Sequence, residues 1–211
     1  MQKTIKKQKT QIDLSAKVKF TARSAALNVL NQVFNDGAYT NIAINKFLRT
    51  YTLEDKERRL FTELVYGTVK ALGTLDWYLE QCVTRPLNKI AKEILNVLRL
   101  SAYQILYMER IPDSAACNEA VKLARSVSHE GSAKFVNGVL RGLLRKLAAN
   151  AFVLPDLQKA DADYLALKYY HPRWLVKRWL GPWGHGGTEK LLAFNNTCLL
   201  YTSDAADDRI S

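Results

Sequence analysis

Apolar residues recur along this chain with the period of an α-helix, and polar residues fill the gaps. Ala26, Leu27, Leu30, Val33 and Phe34 fall at i, i+1, i+4, i+7 and i+8. They form a stripe on a helix that Thr21 caps and Gly37 ends. Asn41 to Arg49 predicts a short second helix with Ile44, Phe47 and Leu48 inward. The third run opens at Thr52. Leu60, Phe61, Leu64, Val65, Thr68 and Leu72 keep the period, Leu75 and Leu79 carry it past Gly73, and Pro86 stops it. Gly67 and Gly73 each cost a helix about 1 kcal/mol, a cost that close helix packing explains. Glu93 to Met108 is apolar almost all round, through Ile94, Leu95, Val97, Leu98, Leu100, Ile105 and Leu106. Such a helix belongs at the centre of a bundle. Asp113 or Ser114 caps the next helix, which buries Cys117, Ala120, Val121 and Ala124. After a turn at His129 to Ser132, a last helix turns Phe135, Val136, Val139, Leu140, Leu143, Leu144 and Leu147 inward. No segment up to residue 150 alternates with period two, so the chain reads as all-α.

The organisation follows. Residues 1–20 read as a basic, disordered tail. Residues 21–150 form the bundle and 151–162 a linker around Pro155. Residues 163–197 hold short helices at Asp163–Tyr170, Arg173–Leu180 and Thr188–Phe194, the start of an incomplete second domain. Trp174, Trp179 and Trp183 crowd together there, and so short a piece needs a hydrophobic partner surface. From Cys198 the character changes. CLLYTSDAADD continues no helical period and resembles the translation of a common transposon-type sequencing adaptor, so 198–211 reads as a non-native tail.

Composition adds one fact that the pattern does not. The chain has 211 residues, 48% hydrophobic and 24% charged, which is ordinary for a globular protein, yet its net charge is +11. The excess is +5 over residues 1–20 and +6 over 21–150, and zero over 151–211. A basic excess confined to one region points to a polyanion, because neutralising phosphates releases their counterions. A soluble basic surface without such a partner accounts for the charge equally well. The Lys-rich N-terminus lacks the apolar core of a secretory signal, and no apolar run is long enough to span a membrane. Cys82, Cys117 and Cys198 are scattered and lack metal-ligand spacing, which argues for the reducing cytoplasm and for no metal.

Two basic arrangements are candidates for RNA contact. Lys134, Gly138, Arg141 and Arg145 fall at i, i+4, i+7 and i+11 on the last bundle helix, opposite its apolar face. Gly138 removes bulk where a phosphate backbone could approach; the alternative is a solvated basic face. Lys92, Asn96, Arg99, Tyr103 and Arg110 project within about 80° of one another on the central helix. Arg and Tyr together can hold a phosphate and stack a base; the alternative is a tyrosine at the edge of the core with its hydroxyl in water. Lys3, Lys6, Lys7, Lys9, Lys17 and Lys19 could add salt-dependent affinity. Signs of catalysis are missing. His129, His171 and His185 are far apart in sequence with no cysteine or carboxylate at metal spacing. GHGG at 184–187 follows no strand, so it is no dinucleotide loop. Glu119 reads as an ion-pair or hydrogen-bonding residue.

Residues Thr21 to about Lys146 resemble the NusB-like helical domain, through FTELVYGTVKALGTLDWYL, LRLSAYQILYMERIP, NEAVKLAR and KFVNGVLR. LVYGT at 64–68 and FVNGVLR at 135–141 resemble one branch in particular, the N-terminal domain of the bacterial small-subunit 16S rRNA (cytosine-C5) methyltransferases, the Sun or Fmu family. YYHPRWLVKRWLGPWG and TEKLLAFNN resemble the start of that family's catalytic part. The resemblance implies an RNA-binding domain from an enzyme that methylates C5 of a cytosine with S-adenosylmethionine. It implies rRNA as partner, no membrane, and a cytoplasmic location. The family's cofactor loop and its PC and TCS cysteine motifs are absent, so no catalytic or cofactor residue carries over and this chain is expected to be inactive alone. The alternative is a free antitermination factor that binds RNA and a ribosomal protein.

Overall fold

The computed structural model describes residues 20–156 and 160–205, with side chains as far as residue 196. The described residues contain no strand. The helices are α1 (Ala22–Asp36), α2 (Thr40–Thr50), α3 (Asp55–Lys70), α4 (Leu72–Glu80), α5 (Lys92–Tyr107), α6 (Asp113–Val127), α7 (Glu130–Ala148), α8 (Asp161–Tyr169) and α9 (Arg173–Ala205), with a 3-10 turn at Leu87–Lys89. The expected fold class, all-α, is what the chain adopts. The lysine-rich tail lies outside the described residues, as does 206–211.

Local chemistry sets the ends of α1. The Thr21 hydroxyl accepts from the Ser24 N–H, and the Ser24 hydroxyl accepts from the Thr21 N–H. This reciprocal cap is worth about 1 kcal/mol. Gly37 closes the helix at φ 73°, a left-handed conformation that glycine adopts without strain. Between the caps, Ala22, Ala25 and Ala26 are buried with Leu27, Val29 and Leu30, so small residues let α3 and α5 pack close. Glu57 of α3 accepts the Ala22 N–H and joins the two helices. A cluster of rings, Phe20, Phe47, Tyr51 and Phe61, seals α2 against them at centroid distances of 4.7 to 5.3 Å.

The run expected to be continuous from Thr52 to Pro86 is two helices. The backbone turns at Ala71 (φ −85°, ψ 4°). Ala71 is buried, and the turn lets α4 pack on both α5 and α7. The two glycines also differ. A Cβ on Gly67 would stand 2.0 Å from Tyr103 Cζ, so that glycine exists for close packing; a Cβ on Gly73 would meet nothing within 4 Å. Packing explains one of them only.

Helix α5 lies at the centre as expected, against α1, α3, α4, α6 and α7. Its buried polar residues are paired internally. Asn96 Nδ2 donates to Asn31 Oδ1 at 2.8 Å, Ser101 to the Val97 carbonyl, and Gln104 Oε1 accepts from Arg23 Nε at 2.7 Å. Helix α6 starts at Asp113 itself. Pro112 stands at the cap position, and no side chain supplies a cap bond. Its inward set is Ala116, Cys117, Ala120, Leu123 and Ala124, while Val121 is half-buried.

Helices α8 and α9 share a small core of Leu165, Ala166, Val176 and Leu192, with Trp179 and Leu180 against it. The two expected short helices are the two arms of α9, which a kink at Gly184 (φ 61°, ψ −175°) separates just after Pro182; the interruption is one non-helical residue and not the whole of GPWGHGG. The helix also continues to Ala205, beyond the point where the periodicity was expected to stop it. Ion pairs of Lys168 with Glu189 at 2.9 Å and of Arg173 with Asp163 tie the unit together, and a hydrogen bond joins His185 Nδ1 and Asp161 Oδ1 at 2.6 Å. The bundle meets it where Thr74 Oγ1 donates to the Leu167 carbonyl at 3.4 Å and where the rings of Tyr107 and Tyr170 lie 4.7 Å apart.

Candidate nucleic-acid interface

Helix α7 buries Ala133, Val136, Val139, Leu140 and Leu143, which fixes what its other face must show. Lys134, Gly138, Arg141 and Arg145 are all exposed on that face. Among the described residues, no carboxylate pairs with Lys134, Arg141 or Arg145. Glu130, one turn before Lys134, is engaged by Arg125 at 2.8 and 3.0 Å, and that hydrogen bond holds its carboxyl below the usual range. A Cβ at Gly138 or Gly142 would meet nothing within 4 Å. The helix therefore offers bare backbone between three cations. Gly142 was not singled out from the sequence, although its spacing of four from Gly138 was there to be read.

The α5 strip is a different kind of surface. Arg99 makes a two-pronged pair with Asp76 of α4, at 2.7 Å on both oxygens, and donates to Asn96 Oδ1 at 3.2 Å. Its side chain is 14% exposed. Tyr103 lies over Gly67 with its ring 5.5 Å from that of Tyr107. Burial, reinforced by Glu63, pushes its phenol up to about 12. Lys92 is exposed in the first turn of α5. Arg110 is exposed but lies past the end of the helix, in the turn before α6, so it does not extend the strip. The structure thus brings Lys134, Arg141 and Arg145 together on open surface. It does not gather Lys92, Arg99, Tyr103 and Arg110 into one face.

One cation was missed. Arg85, in the loop after α4, lies with its guanidinium 4.5 Å from the centroid of the Phe135 ring on α7. It also lines a cleft of about 680 Å³ with Asp76, Glu80, Asn88 and Arg99. Its sequence signal was weak, a single arginine before Pro86 in no periodic pattern. Elsewhere, Glu119 pairs with Lys122 at 2.7 Å, as expected. Among the described residues no group of three or more His, Cys, Asp or Glu is placed to hold a metal, and no helix is long and apolar enough to cross a membrane.

Comparison with known proteins places this geometry. The sequence pattern of the NusB family matches residues 21–145. Over 173 residues the chain is 38% identical to a Bacillus subtilis protein named probable ribosomal RNA small subunit methyltransferase B, covering 82% of this chain and 38% of that protein. A Synechocystis protein of the same name is 35% identical over 176 residues, 83% of this chain and 39% of that one. The chain spans less than two-fifths of the length of these relatives. Among solved structures, the antitermination factors NusB and NusE in complex with dsRNA match with TM-score 0.55 and 20% identity, over 59% of this chain and 93% of the matched chain. The structure of PH0851 matches with TM-score 0.61 and 16% identity over 84% of this chain and 39% of that chain, more than the bundle alone comprises. Both likenesses show the fold. The sequence match runs from the capping Thr21 to Arg145, the last cation on the open face of α7, and the chain belongs to the NusB family.

Proposed function

We propose that this chain is the RNA-binding front part of an S-adenosylmethionine-dependent methyltransferase of small-subunit rRNA. The observation that carries this is the open face of α7, where Lys134, Arg141 and Arg145 surround the bare backbone at Gly138 and Gly142. Such a face takes a phosphate backbone at close range without reading its sequence. The similarity to methyltransferases extends well past residue 145, where the family pattern ends, and this favours the enzyme over a free antitermination factor. NusB was solved with NusE and dsRNA, so RNA is an established partner of a bundle with this fold. Lys92 and Arg110 add exposed charge to the same domain. Arg99 and Tyr103 support the bundle from within.

In this reading residues 21–150 hold the RNA, and residues 163–197 begin the methyltransferase part. Trp174 and Trp183, 66% and 55% exposed, are the side chains that the remainder of the enzyme covers. That remainder has to be large, since the relatives are far longer than this chain. The described residues do not fit S-adenosylmethionine. They contain no strand leading into a glycine-rich turn, and the one glycine cluster, 184–187, lies within α9 with His185 bound to Asp161. When bound elsewhere in the enzyme, the cofactor supplies the methyl group, and this chain's residues position RNA. Alone it is inactive, and it works in the cytoplasm. Incorporation of labelled methyl groups into rRNA by this chain would overturn the first of these two statements.

The test of the interface is Arg141→Glu combined with Arg145→Glu. Affinity for small-subunit rRNA fragments is expected to fall roughly thirtyfold at low salt, with a shallower salt dependence. Helix content should not change, because both side chains are exposed. Unchanged affinity would remove α7 from the site.

A further inference from the structure

The cleft between the end of α4 and the start of α5 has a chemistry that the phosphate-binding reading does not use. Apolar side chains, Val83, Pro86, Leu87 and Leu95, form part of its walls. Its polar groups are of mixed sign. At about 680 Å³ it is within the usual size of small-ligand clefts. Two carboxylates, Asp76 and Glu80, stand one helical turn apart on α4. A seat for phosphate would exclude both.

The two carboxylates are in different states. Both oxygens of Asp76 are taken by Arg99, at 2.7 Å each. Glu80 is exposed and is the last residue of α4. A negative charge at a helix C-terminus faces the negative end of the dipole and costs about 0.3–1 kcal/mol. Stability therefore gives no reason for a glutamate at this position. Arg85 also lines the cleft, with its guanidinium carbon over the Phe135 ring at 4.5 Å from the centroid, and a planar guanidinium can stack on a base as well as on a ring. Lys89 is exposed beside Asn88 at the same loop.

We propose that this cleft seats one unstacked guanine of the bound RNA, a reading that rests on the RNA-binding function proposed above. The base stacks on the Arg85 guanidinium between the apolar walls. Its N1–H and N2–H₂ are adjacent donors, and the Glu80 carboxylate accepts both. The other bases fit less well. Adenine and cytosine present one amino donor beside a ring nitrogen that repels a carboxylate, and the uracil N3–H is flanked by two carbonyl oxygens. Arg85 and Lys89 offset the approach of the flanking phosphates to Glu80.

The experiment uses the 211-residue chain and fluorescently labelled single-stranded RNAs, uridine-rich and alike except for one central base. Affinity is read by anisotropy at two salt concentrations. The RNA with a central guanine is expected to bind roughly tenfold tighter than the other three. Glu80→Gln should abolish that preference while leaving the all-uridine RNA bound as tightly or more tightly, since a negative charge has gone. Plain electrostatics predicts tighter binding for every RNA, so loss for guanine alone is diagnostic. Arg85→Ala should weaken all four. Equal affinity for the four RNAs, or a guanine preference that survives Glu80→Gln, overturns the seat. Salt-sensitive binding without base preference overturns the seat and leaves the phosphate reading intact. No salt-sensitive binding at all overturns both. An arginine peptide that shifts the Glu80 resonance where guanine RNA does not would assign the cleft to a protein and also overturn the proposal.

Discussion

Asp76→Ala is expected to destabilise the protein by about 3 kcal/mol, which for a chain of this size lowers Tm by roughly 10 °C. Arg99 cannot leave the interior easily. Its side chain is 14% exposed, and the guanidinium sits 5.2 Å from the centre of the Phe34 ring. Losing Asp76 leaves that charge with the Asn96 oxygen and the Phe34 ring but no carboxylate. A fully buried pair broken in this way costs about 3–5 kcal/mol. Asp76 is 25% exposed, so water screens part of the loss and the lower end applies. Asp76→Ala with Arg99→Met should recover more than half, because the stranded charge is gone and a flexible apolar chain fills the space. Urea denaturation of the three proteins checks the series. If the single variant matches the parent, the pair contributes nothing to the fold and Arg99 is available for RNA.

Gly67→Val is expected to cost about 3 kcal/mol, at the top of the range for overpacking. The first carbon of the new side chain overlaps the Tyr103 ring, 2.0 Å from its Cζ, so the ring must move. Removal of a helical glycine works the other way by about 1 kcal/mol, which the clash exceeds. Tyr103→Ala in the same protein should restore part of the loss, with a coupling of about 2 kcal/mol in a double-mutant cycle. A second readout is the phenol itself. Burial pushes the Tyr103 phenol up to about 12 in the parent. A raised tyrosine value means that the neutral form is favoured by folding. The stability it carries is complete below about pH 10, the unfolded value, and is lost as pH rises towards the folded one. In Gly67→Val the displaced ring should titrate closer to the unfolded value, seen as ultraviolet difference absorbance.

The helical period was legible wherever one face of a helix meets the core. It placed α1, α5, α6 and α7 within a few residues, and the capping of Thr21 and Gly37 followed from their side chains alone. It failed where two helices share one period. Leu72, Leu75 and Leu79 continue the phase of α3, so the turn at Ala71 left no mark in the pattern. At GPWGHGG the expected interruption is present, but the backbone makes it with one non-helical residue, Gly184. Of the candidate binding residues, those on α7 were legible because exposed cations and buried leucines alternate on opposite sides of one helix. The α5 strip was ambiguous in the sequence for a physical reason. A polar residue on an apolar helix can face water or meet another polar residue inside, and the partners Asn31 and Asp76 lie on other helices. Arg85 and Glu80 belong to a cleft built from three segments, which no single stretch of sequence displays.

The two outlying indoles of α9 have an optical consequence. Trp174 and Trp183 are in water, while Trp77 and Trp179 are half-shielded by neighbours. Emission from the isolated polypeptide is therefore weighted to long wavelengths. If a downstream methyltransferase region docks there as proposed, these two rings leave solvent and the spectrum moves to the blue. On that proposal the chain carries its own gauge of assembly, one that reports without any added dye.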